Sequence, residues 1–546
     1  MGLVKASQQL DPGGAEAPTA ATAFAVVPLI VLMAAQMGTS GDNGALSIAT
    51  GEITQALGAS TSEIQMLNTV YSLVAGACMI VGGMLGTMWG WRRNFRLGAG
   101  LAAVGEFAAA LAPNVFVLTW CGRLLVGLGA SLLIPSVLGL VPKIWHTEQH
   151  RAQAYGGVAS ASGLAILFPI ILGILLDLTG FRVTFAILGV YFLLVLAGSL
   201  KLPDVDRDRS SMRFDGVGAG LAASGLFLFI NGISNLSTWG MWTATAAAPF
   251  SVGGLSPAPL FIVVGLILLI TLVRVERGIE RANGGCLLPH AFLTEPQVLC
   301  GLAACTVSFF FMGMQIILVT PYLQVVLGMS ALETSGVSIV FGIAMFIASA
   351  GIARVFPQLA HKVIMRAGYV AVLASIALLA FSIVPGGLVM PLMVVGFALA
   401  GLGAGAVASQ AGPVISLSLD ESGAAQSGGV QATCRNTGQA IAVALLGAVM
   451  LSFISSTMTA SITAIDGVSE ATAQEVLSTP LQLESDETFL ARWENTDAPD
   501  HAITEAAARY SDTRVNAIRL SMGVAFVICL AGSLTTSFIT KDRSKE

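Results

Sequence analysis

GGMLGTMWGWRRNF, residues 82–95, leads an apolar segment rich in glycine and tryptophan directly into a group of arginines. Arg92, Arg93 and Arg96 follow one another within five residues. At a membrane edge, arginine side chains reach the lipid headgroups while the apolar segment stays in hydrocarbon. Glycines in such a stretch let two helices and their turn pack backbone to backbone. The stretch therefore predicts a tight turn between two membrane-spanning helices.

The composition is that of a polytopic membrane protein. Of 546 residues, 55% are hydrophobic and 10% are charged, against roughly 25% charged in an ordinary soluble domain. The 61 glycines suit close packing of membrane helices. The seven cysteines are scattered through apolar segments without metal-ligand spacing. No metal site, cofactor or nucleic-acid partner is predicted.

Fourteen apolar runs are long enough to cross the membrane, which takes about 20 helical residues for roughly 30 Å of hydrocarbon. They lie at 23–48, 64–88, 97–115, 116–141, 153–176, 183–202, 215–234, 256–273, 298–324, 332–354, 367–385, 388–418, 425–453 and 515–539. This pattern predicts an all-α fold with a six-helix bundle at 23–202, two inserted helices with linkers at 203–297 and a second bundle at 298–540. Tails at 1–22 and 541–546 complete the chain.

The basic residues predict the orientation. With both termini in the cytoplasm, nineteen of the 26 lysines and arginines fall on the inside and five on the outside. Residues 455–513 then form a long acidic loop outside the membrane, with some amphipathic helix. We expect a solvated connector there, with a lid or docking surface as the alternative reading.

The loop after the second span carries a recognisable motif, Gly83-x-Leu85-Gly86-x-x-x-Gly90-x-Arg92-Arg93. It resembles the cytoplasmic gate motif of the major facilitator superfamily. Further segments resemble the fourteen-helix branch called drug:proton antiporter family 2. They are Arg123-x-x-x-Gly127, Gly180-Phe181-Arg182, FDGVGAGL at 214–221, WGMW at 239–242, PYLQVVLGMSALETSG at 321–336 and TCRNTGQAIAVALLG at 433–447.

The chain also departs from the family's pattern. Thr87 stands where the gate motif has an aspartate, and Val126 where the fourth span has a glutamine. The antiporter motif of the fifth span is reduced to Phe168-Pro169-x-x-Leu172-Gly173, so Pro169 and Gly173 are the expected hinge residues. By resemblance, these changes weaken the charge lock at the gate and alter the bend of the fifth helix.

Ionisable residues inside predicted spans are costly and functional by default. Asp42 and Arg123 lie at a similar depth in the first and fourth spans, about 10 Å below the outer surface, and they can form a pair. Asp42 also begins DNGALSIA, which resembles the family's first-span motif. The resemblance implies proton coupling by Asp42 with Arg123 as its counter-charge, and a static pair is the alternative. Glu106, in the third span, either carries a cation or proton or is a protonated packing residue.

Polar residues of several spans are candidates for a substrate cavity. Arg435 lies near the middle of the thirteenth span in a polar stripe, which faces either a cavity or neighbouring helices. The cavity candidates are Gln36, Asn43, Tyr71, Glu106, Gln315, Tyr322, Gln431, Arg435 and Gln439.

The leading interpretation is a secondary transporter in a bacterial plasma membrane that exports lipophilic or cationic small molecules by proton antiport and alternating access. Its partners are the substrate, protons and membrane lipids, and we expect a monomer. Two alternatives remain: an exporter or flippase of an endogenous lipid or envelope precursor, and a non-transporting scaffold or sensor. An enzyme is not expected, because the five histidines lie outside the spans and no nucleophile–base pattern is visible.

Overall fold

The computed structural model describes residues 24–59, 61–165, 167–204, 215–245, 248–283, 288–477, 481–494 and 496–540. The predicted tails at 1–22 and 541–546 lie outside this part of the chain. Within it, the fold is almost entirely helical. The strands are the short pair Ile383–Val384 and Gly387–Leu388, which form an antiparallel hairpin.

The N-terminal half and the inserted pair contain eight helices. They are α1 (Val26–Leu57), α2 (Thr61–Trp89), α3 (Trp91–Ala110), α4 (Val115–Ile144), α5 (Glu148–Leu164), α6 (Leu167–Gly198), α7 (Gly216–Ser234) and α8 (Pro257–Asn283). Helix α4 includes a π-helical turn at Leu118–Arg123. Helix α6 is kinked at Gly180, whose φ of 81° is outside the helical region. Short helical turns lie at Ser199–Lys201 and Leu236–Trp239.

The C-terminal half contains six long helices and, between the last two of them, two short ones. They are α9 (Pro296–Met314), α10 (Ala331–Val355), α11 (His361–Ser382), α12 (Met390–Ser416), α13 (Glu421–Ile462), α14 (Glu470–Val476), α15 (Asp486–Ala491) and α16 (Asp500–Thr535). Helix α9 continues into π-helical turns at Gln315–Val319 and Tyr322–Val326. Short turns at Ala291–Thr294 and Thr536–Phe538 flank the half.

Eleven helices in the described part of the chain are long and apolar enough to cross a membrane, and the apolar run Val26–Asp42 is shorter. The prediction of a polytopic, all-helical membrane protein is confirmed. The count of fourteen spans stays a prediction. Helix α3 is not among the eleven, and its twenty residues include three arginines and Glu106.

Each half has its own apolar core. We call the end that carries the turns at Gly90 and Trp145 and the start of α11 the motif end, and the opposite end the cap end. The halves approach each other closely at the motif end, where Gly83 lies against Gly429, and again near the far end of α5, where Gly163 lies against Gly342. Helices α5 and α10 pack together, as do α2 and α13. Tyr155 of α5 lies 3.4 Å from the hydroxyl of Ser416 in α12. This contact lies within about two turns of the motif-end termini of both helices.

The inserted helices pack on the outside of the N-terminal half. Leu226 and Ile230 of α7 form a cluster with Leu73 and Ile80 of α2. Asp215 accepts a hydrogen bond from the backbone N–H of Gly218 at 2.9 Å and so caps α7. That bond explains the aspartate in FDGVGAGL as a helix start.

The acidic segment between α13 and α16 is a folded cap. Helices α13 and α16 both extend beyond the predicted span ends, to Ile462 and back to Asp500. Between them, the rings of Phe489 and Tyr510 stack with centroids 4.2 Å apart, and Trp493 is buried against Phe489. The Tyr510 hydroxyl donates to the Gln482 carbonyl at 2.6 Å. The segment therefore has a buried aromatic cluster, continuous with the core of the C-terminal half, which a merely solvated connector would lack.

We expect Trp493→Ala to destabilise this cap by about 3 to 5 kcal/mol, the usual loss when a large buried aromatic is truncated. The measurement is the rate of limited proteolysis between Ile462 and Asp500 in the purified protein. Leu490→Ala is the matched control, because Leu490 is 40% exposed on α15. Equal cleavage rates for both variants would show that Trp493 does not support the cap.

Candidate functional site

The centre of the N-terminal half holds an ion pair between α1 and α4. The two guanidinium nitrogens of Arg123 donate to the two carboxylate oxygens of Asp42 at 2.8 and 2.9 Å. Both side chains are fully buried. A bidentate pair fixes the relative orientation of its partners as well as their distance. Sequence reasoning placed these residues at one depth, and the structure brings them into direct contact.

Glu106 and Tyr71 complete this site from α3 and α2. A carboxylate oxygen of Glu106 lies 3.6 Å from Arg123, and Glu106 is also fully buried. The Tyr71 ring lies beneath the guanidinium with its centroid 4.8 Å away, and its hydroxyl donates to the Thr39 carbonyl. Sequence reasoning found no basic partner for Glu106, because Arg123 belongs to the next helix. The structure thus gathers one residue from each of the first four helices.

The cluster has two acidic groups for one arginine. With both ionised it would carry a net charge of −1 away from water, and uncompensated buried charge is strongly unfavourable. Among the described residues, neither carboxylate oxygen of Glu106 has a hydrogen-bond partner. One proton on the cluster restores neutrality, and Arg123 still keeps an ionised partner. The arrangement can therefore take up and release one proton.

A local feature of α4 positions Arg123. The residue ends the π-helical turn that begins at Leu118, and single π turns inside α-helices are frequent at functional sites. Gln315 and Tyr322 begin the two π turns that follow α9. No periodicity in the sequence predicted these turns.

The gate motif acts mainly through close backbone packing. Gly90 has a φ of 94° and begins α3 after the turn, a conformation that favours glycine. A side chain at Gly86 would collide with the buried ring of Trp91, and one at Gly83 would lie 3.0 Å from Gly429 in α13. The glycines therefore allow α2 to contact the other half.

Of the two arginines of the motif, Arg92 makes its contacts within the N-terminal half. Arg92 donates to the Leu200 carbonyl at 3.2 Å and lies 3.6 Å from Asp204, while Arg93 is exposed. Thr87, which replaces the family's aspartate, donates to the Gly83 carbonyl of its own helix. Arg92 thus fastens the start of α3 to the end of α6.

A polar contact between the halves lies elsewhere at the motif end. The Nε2 atom of His361, in α11, is 3.5 Å from a carboxylate oxygen of Glu148 at the start of α5. The Nδ1 atom of the same buried ring lies 2.6 Å from the Gln410 side-chain oxygen. Sequence reasoning missed this contact, because it placed His361 in a loop or at a membrane edge and did not consider Glu148.

The expected hinge coincides with a helix interruption. Helix α5 ends at Leu164 and α6 begins at Leu167. Pro169 is the third residue of α6, within the first turn, where the N–H that proline lacks has no partner within the helix. The side chains of Pro169 and of the cavity candidate Asn43 lie outside the described part of the structure. Gly173 lies farther along α6 and is half-buried.

The other cavity candidates have different surroundings. Gln36 donates to Ser40 at 3.0 Å in its own helix, and Tyr322 lies 2.8 Å from two carbonyls of the hairpin. Gln315 has a buried side-chain nitrogen without a partner in the described part of the chain. Gln431 and Arg435 are buried on α13, where Gln439 is half-buried. Tyr322 thus has its hydroxyl bonded to the hairpin. Gln315 and Gln431 each have a buried side-chain atom without a hydrogen-bond partner among the described residues.

Comparison with known proteins gives a family match across most of the chain. The family model described as Major Facilitator Superfamily matches residues 32–443. A probable actinorhodin transporter of Streptomyces coelicolor is 28% identical, over 81% of this chain and 75% of that protein. The tetracenomycin C resistance and export protein of Streptomyces glaucescens is also 28% identical, over 81% and 79%. The multidrug efflux pump LfrA of Mycolicibacterium smegmatis is 26% identical, over 81% and 83%.

Solved structures have the same fold. The human organic anion transporter MFSD10 superimposes with a TM-score of 0.53 over 92% of this chain and 98% of that one. The proton:xylose symporter XylE gives 0.52 over 77% and 88%. Sequence identity is 13% in both comparisons, so the likeness concerns the arrangement of helices.

We expect the acidic residues beside Arg123 to substitute for one another in stability. Glu106→Gln should cost little, and Asp42→Asn should cost less than the double variant, because Glu106 can then ionise. The double variant leaves Arg123 buried without a carboxylate, at a cost of roughly 3 to 5 kcal/mol. Thermal unfolding of the detergent-purified protein measures these losses, with Glu505→Gln on the exposed cap as control. Additive single losses would contradict the shared role.

We expect Gly83→Val to hold the halves apart at the motif end, since its methyl groups would meet Gly429. Gly100→Val is the control, because nothing lies within 4 Å of a side chain built there. Double electron–electron resonance measures the distance between the halves at the motif end. The spin labels are attached at positions 93 and 356, in a chain whose native cysteines have been replaced. The distance should lengthen in Gly83→Val alone. An unchanged distance would mean that this contact does not set the closure.

Proposed function

Because the chain belongs to the major facilitator superfamily, we propose that it exports lipophilic small molecules from a bacterial cell by alternating access. The observation that carries the proposal is the buried Asp42–Glu106–Arg123 cluster, set in a fold of two packed helical halves. The drug and antibiotic exporters to which the chain is similar support the direction of transport. The positive-inside distribution of basic residues supports a plasma-membrane location with both termini in the cytoplasm.

This orientation makes the motif end the cytoplasmic end. The described conformation is then closed towards the cytoplasm, by the contacts of Gly83 with Gly429, of Tyr155 with Ser416 and of Glu148 with His361. Opening towards the cytoplasm requires these contacts to separate while the cap end closes. The two halves would rock about a site between them.

Protons drive this exchange through the N-terminal cluster. When the cluster takes up a proton from outside, the charge of Asp42 or Glu106 is neutralised, and the balance of forces on α1, α3 and α4 changes. Release of that proton on the cytoplasmic side restores the ionised form. Arg123 remains charged throughout and provides the fixed counter-charge, so that a single proton changes the interactions between helices.

The folded cap favours a second candidate, an exporter of an endogenous lipid or envelope precursor. The cap lies on the extensions of α13 and α16, at the end where such a substrate would leave. Arg514 of α16 pairs with Asp486, and Arg492 pairs with Glu484, so the cap is fixed to the C-terminal half. A scaffold without transport would show no flux of any substrate.

The test measures efflux in cells that lack other pumps, with fluorescent lipophilic compounds of both charge signs. Cells with the native protein should accumulate less of at least one compound, and a protonophore should abolish the difference. Asp42→Asn should raise accumulation to the level of cells without the protein, because proton exchange loses its principal carboxylate. Glu505→Gln should behave as native.

Efflux by the native protein that survives both Asp42→Asn and the protonophore would remove the proton-driven mechanism. A well-expressed native protein that moves none of the compounds would remove drug export. Transport of extracted envelope lipids in vesicles, compared with and without the cap residues 463–499, would then test the second candidate.

A further inference from the structure

Arg435 is a second buried arginine, and it lies between the two halves. It comes fourteen residues after the start of α13 at Glu421, or about 21 Å at 1.5 Å per residue, which is close to the middle of a membrane. Its residue surface is 6% exposed. The guanidinium carbon lies 5.4 Å from the centroid of the Phe309 ring of α9. The next residue, Asn436, donates to the Met79 sulfur of α2, in the opposite half, at 3.0 Å.

Arg435 differs from Arg123 in having no anion. No carboxylate pairs with it in the described part of the chain, and the side-chain hydrogen bond that the structure gives it is to the Cys305 thiol. The Phe309 ring can offset part of the cost of this charge. Intramembrane arginines otherwise pair with acidic groups or face a substrate pathway. A buried guanidinium with no carboxylate partner among the described residues therefore points to an anionic ligand.

Gln431 provides a second unused group one turn away. Residues four apart lie on the same helix face, and Gln431 is fully buried. Its amide nitrogen donates to the Ser427 hydroxyl at 2.9 Å, whereas its side-chain oxygen has no partner among the described residues. A buried acceptor without a donor is costly. A ligand that brings both an acidic group and a hydroxyl donor would satisfy Arg435 and Gln431 together.

The walls around these groups suit an aromatic compound. Phe309 presents its ring to Arg435, and the Cys305 thiol adds polarizable surface beside it. Planar acids bind an arginine through its fork of donors, and their rings pack on such surfaces.

We propose that Arg435 binds the acidic group of the exported compound, with Gln431 accepting a hydrogen bond from its hydroxyl group. The substrate class is a lipophilic aromatic acid, a class that the sequence did not predict. This inference rests on the proposed export function. It divides the work between the halves: the N-terminal cluster exchanges the proton, and α13 holds the anion.

The test uses three probes that share one ring system: 2-anthracenecarboxylate, the neutral 2-anthracenecarboxamide and a 2-anthracenyl trimethylammonium ion. Calorimetric titration of the detergent-purified full chain measures binding of each probe. The native protein should bind the carboxylate at least about tenfold more tightly than the other two. Arg435→Gln should remove that preference and Arg435→Lys should retain part of it, since lysine keeps the charge without the fork. Arg509→Gln, on the half-exposed cap surface, should bind as native.

Equal binding of the three probes by the native protein, or binding of none, overturns the proposal without any variant. A carboxylate preference that survives in folded Arg435→Gln also overturns it. Flux of the same probes in proteoliposomes separates this inference from the proposed function. Arg435-dependent binding without flux would retain the anion site and contradict export. Flux of all three probes without dependence on Arg435 would retain export and remove the site.

Discussion

The ion pair between Asp42 and Arg123 is the interaction on which the N-terminal half depends. Both partners are fully buried, and their attraction offsets a large desolvation cost only because the contact is bidentate. That geometry fixes α1 against α4. Glu106 then approaches from α3 and Tyr71 from α2, so that four helices meet around one guanidinium. Such a site is structural and titratable at once.

Arg123 and Arg435 have opposite electrostatic surroundings. Arg123 has an excess of acidic groups, whereas Arg435 has an aromatic ring, a thiol and an amide but no carboxylate in the described part of the chain. An excess of acid suits exchange of a proton, and an excess of base suits exchange of an anion. The C-terminal half thus supplies a buried positive charge that no carboxylate of the described residues neutralises, which the N-terminal cluster lacks. Arg123 belongs to the N-terminal half and Arg435 to the C-terminal half, so the distance between the two sites depends on how the halves are arranged.

The gate shows how packing can replace a charge. Thr87 bonds to its own helix, and Arg92 of the loop motif binds within its own half. Contact between the halves relies instead on Gly83, where two backbones approach closely, and on the Glu148–His361 contact nearby. A steric closure of this kind depends on small residues over a wide surface. The polar contact between the halves therefore lies at Glu148, at the start of α5, and not at the loop motif.

The sequence by itself determined the helical membrane fold, the order of the helices and the family. These follow from local quantities: the length of apolar runs, the positions of charges and the spacing of glycines. It also placed Asp42 and Arg123 at one depth, because rise per residue is constant in a helix. Only the tertiary structure decided that Glu106 joins them, that Arg435 does not, and that the acidic segment folds around Trp493. Those outcomes depend on the rotation of each helix about its axis and on contacts between distant segments, which packing alone fixes.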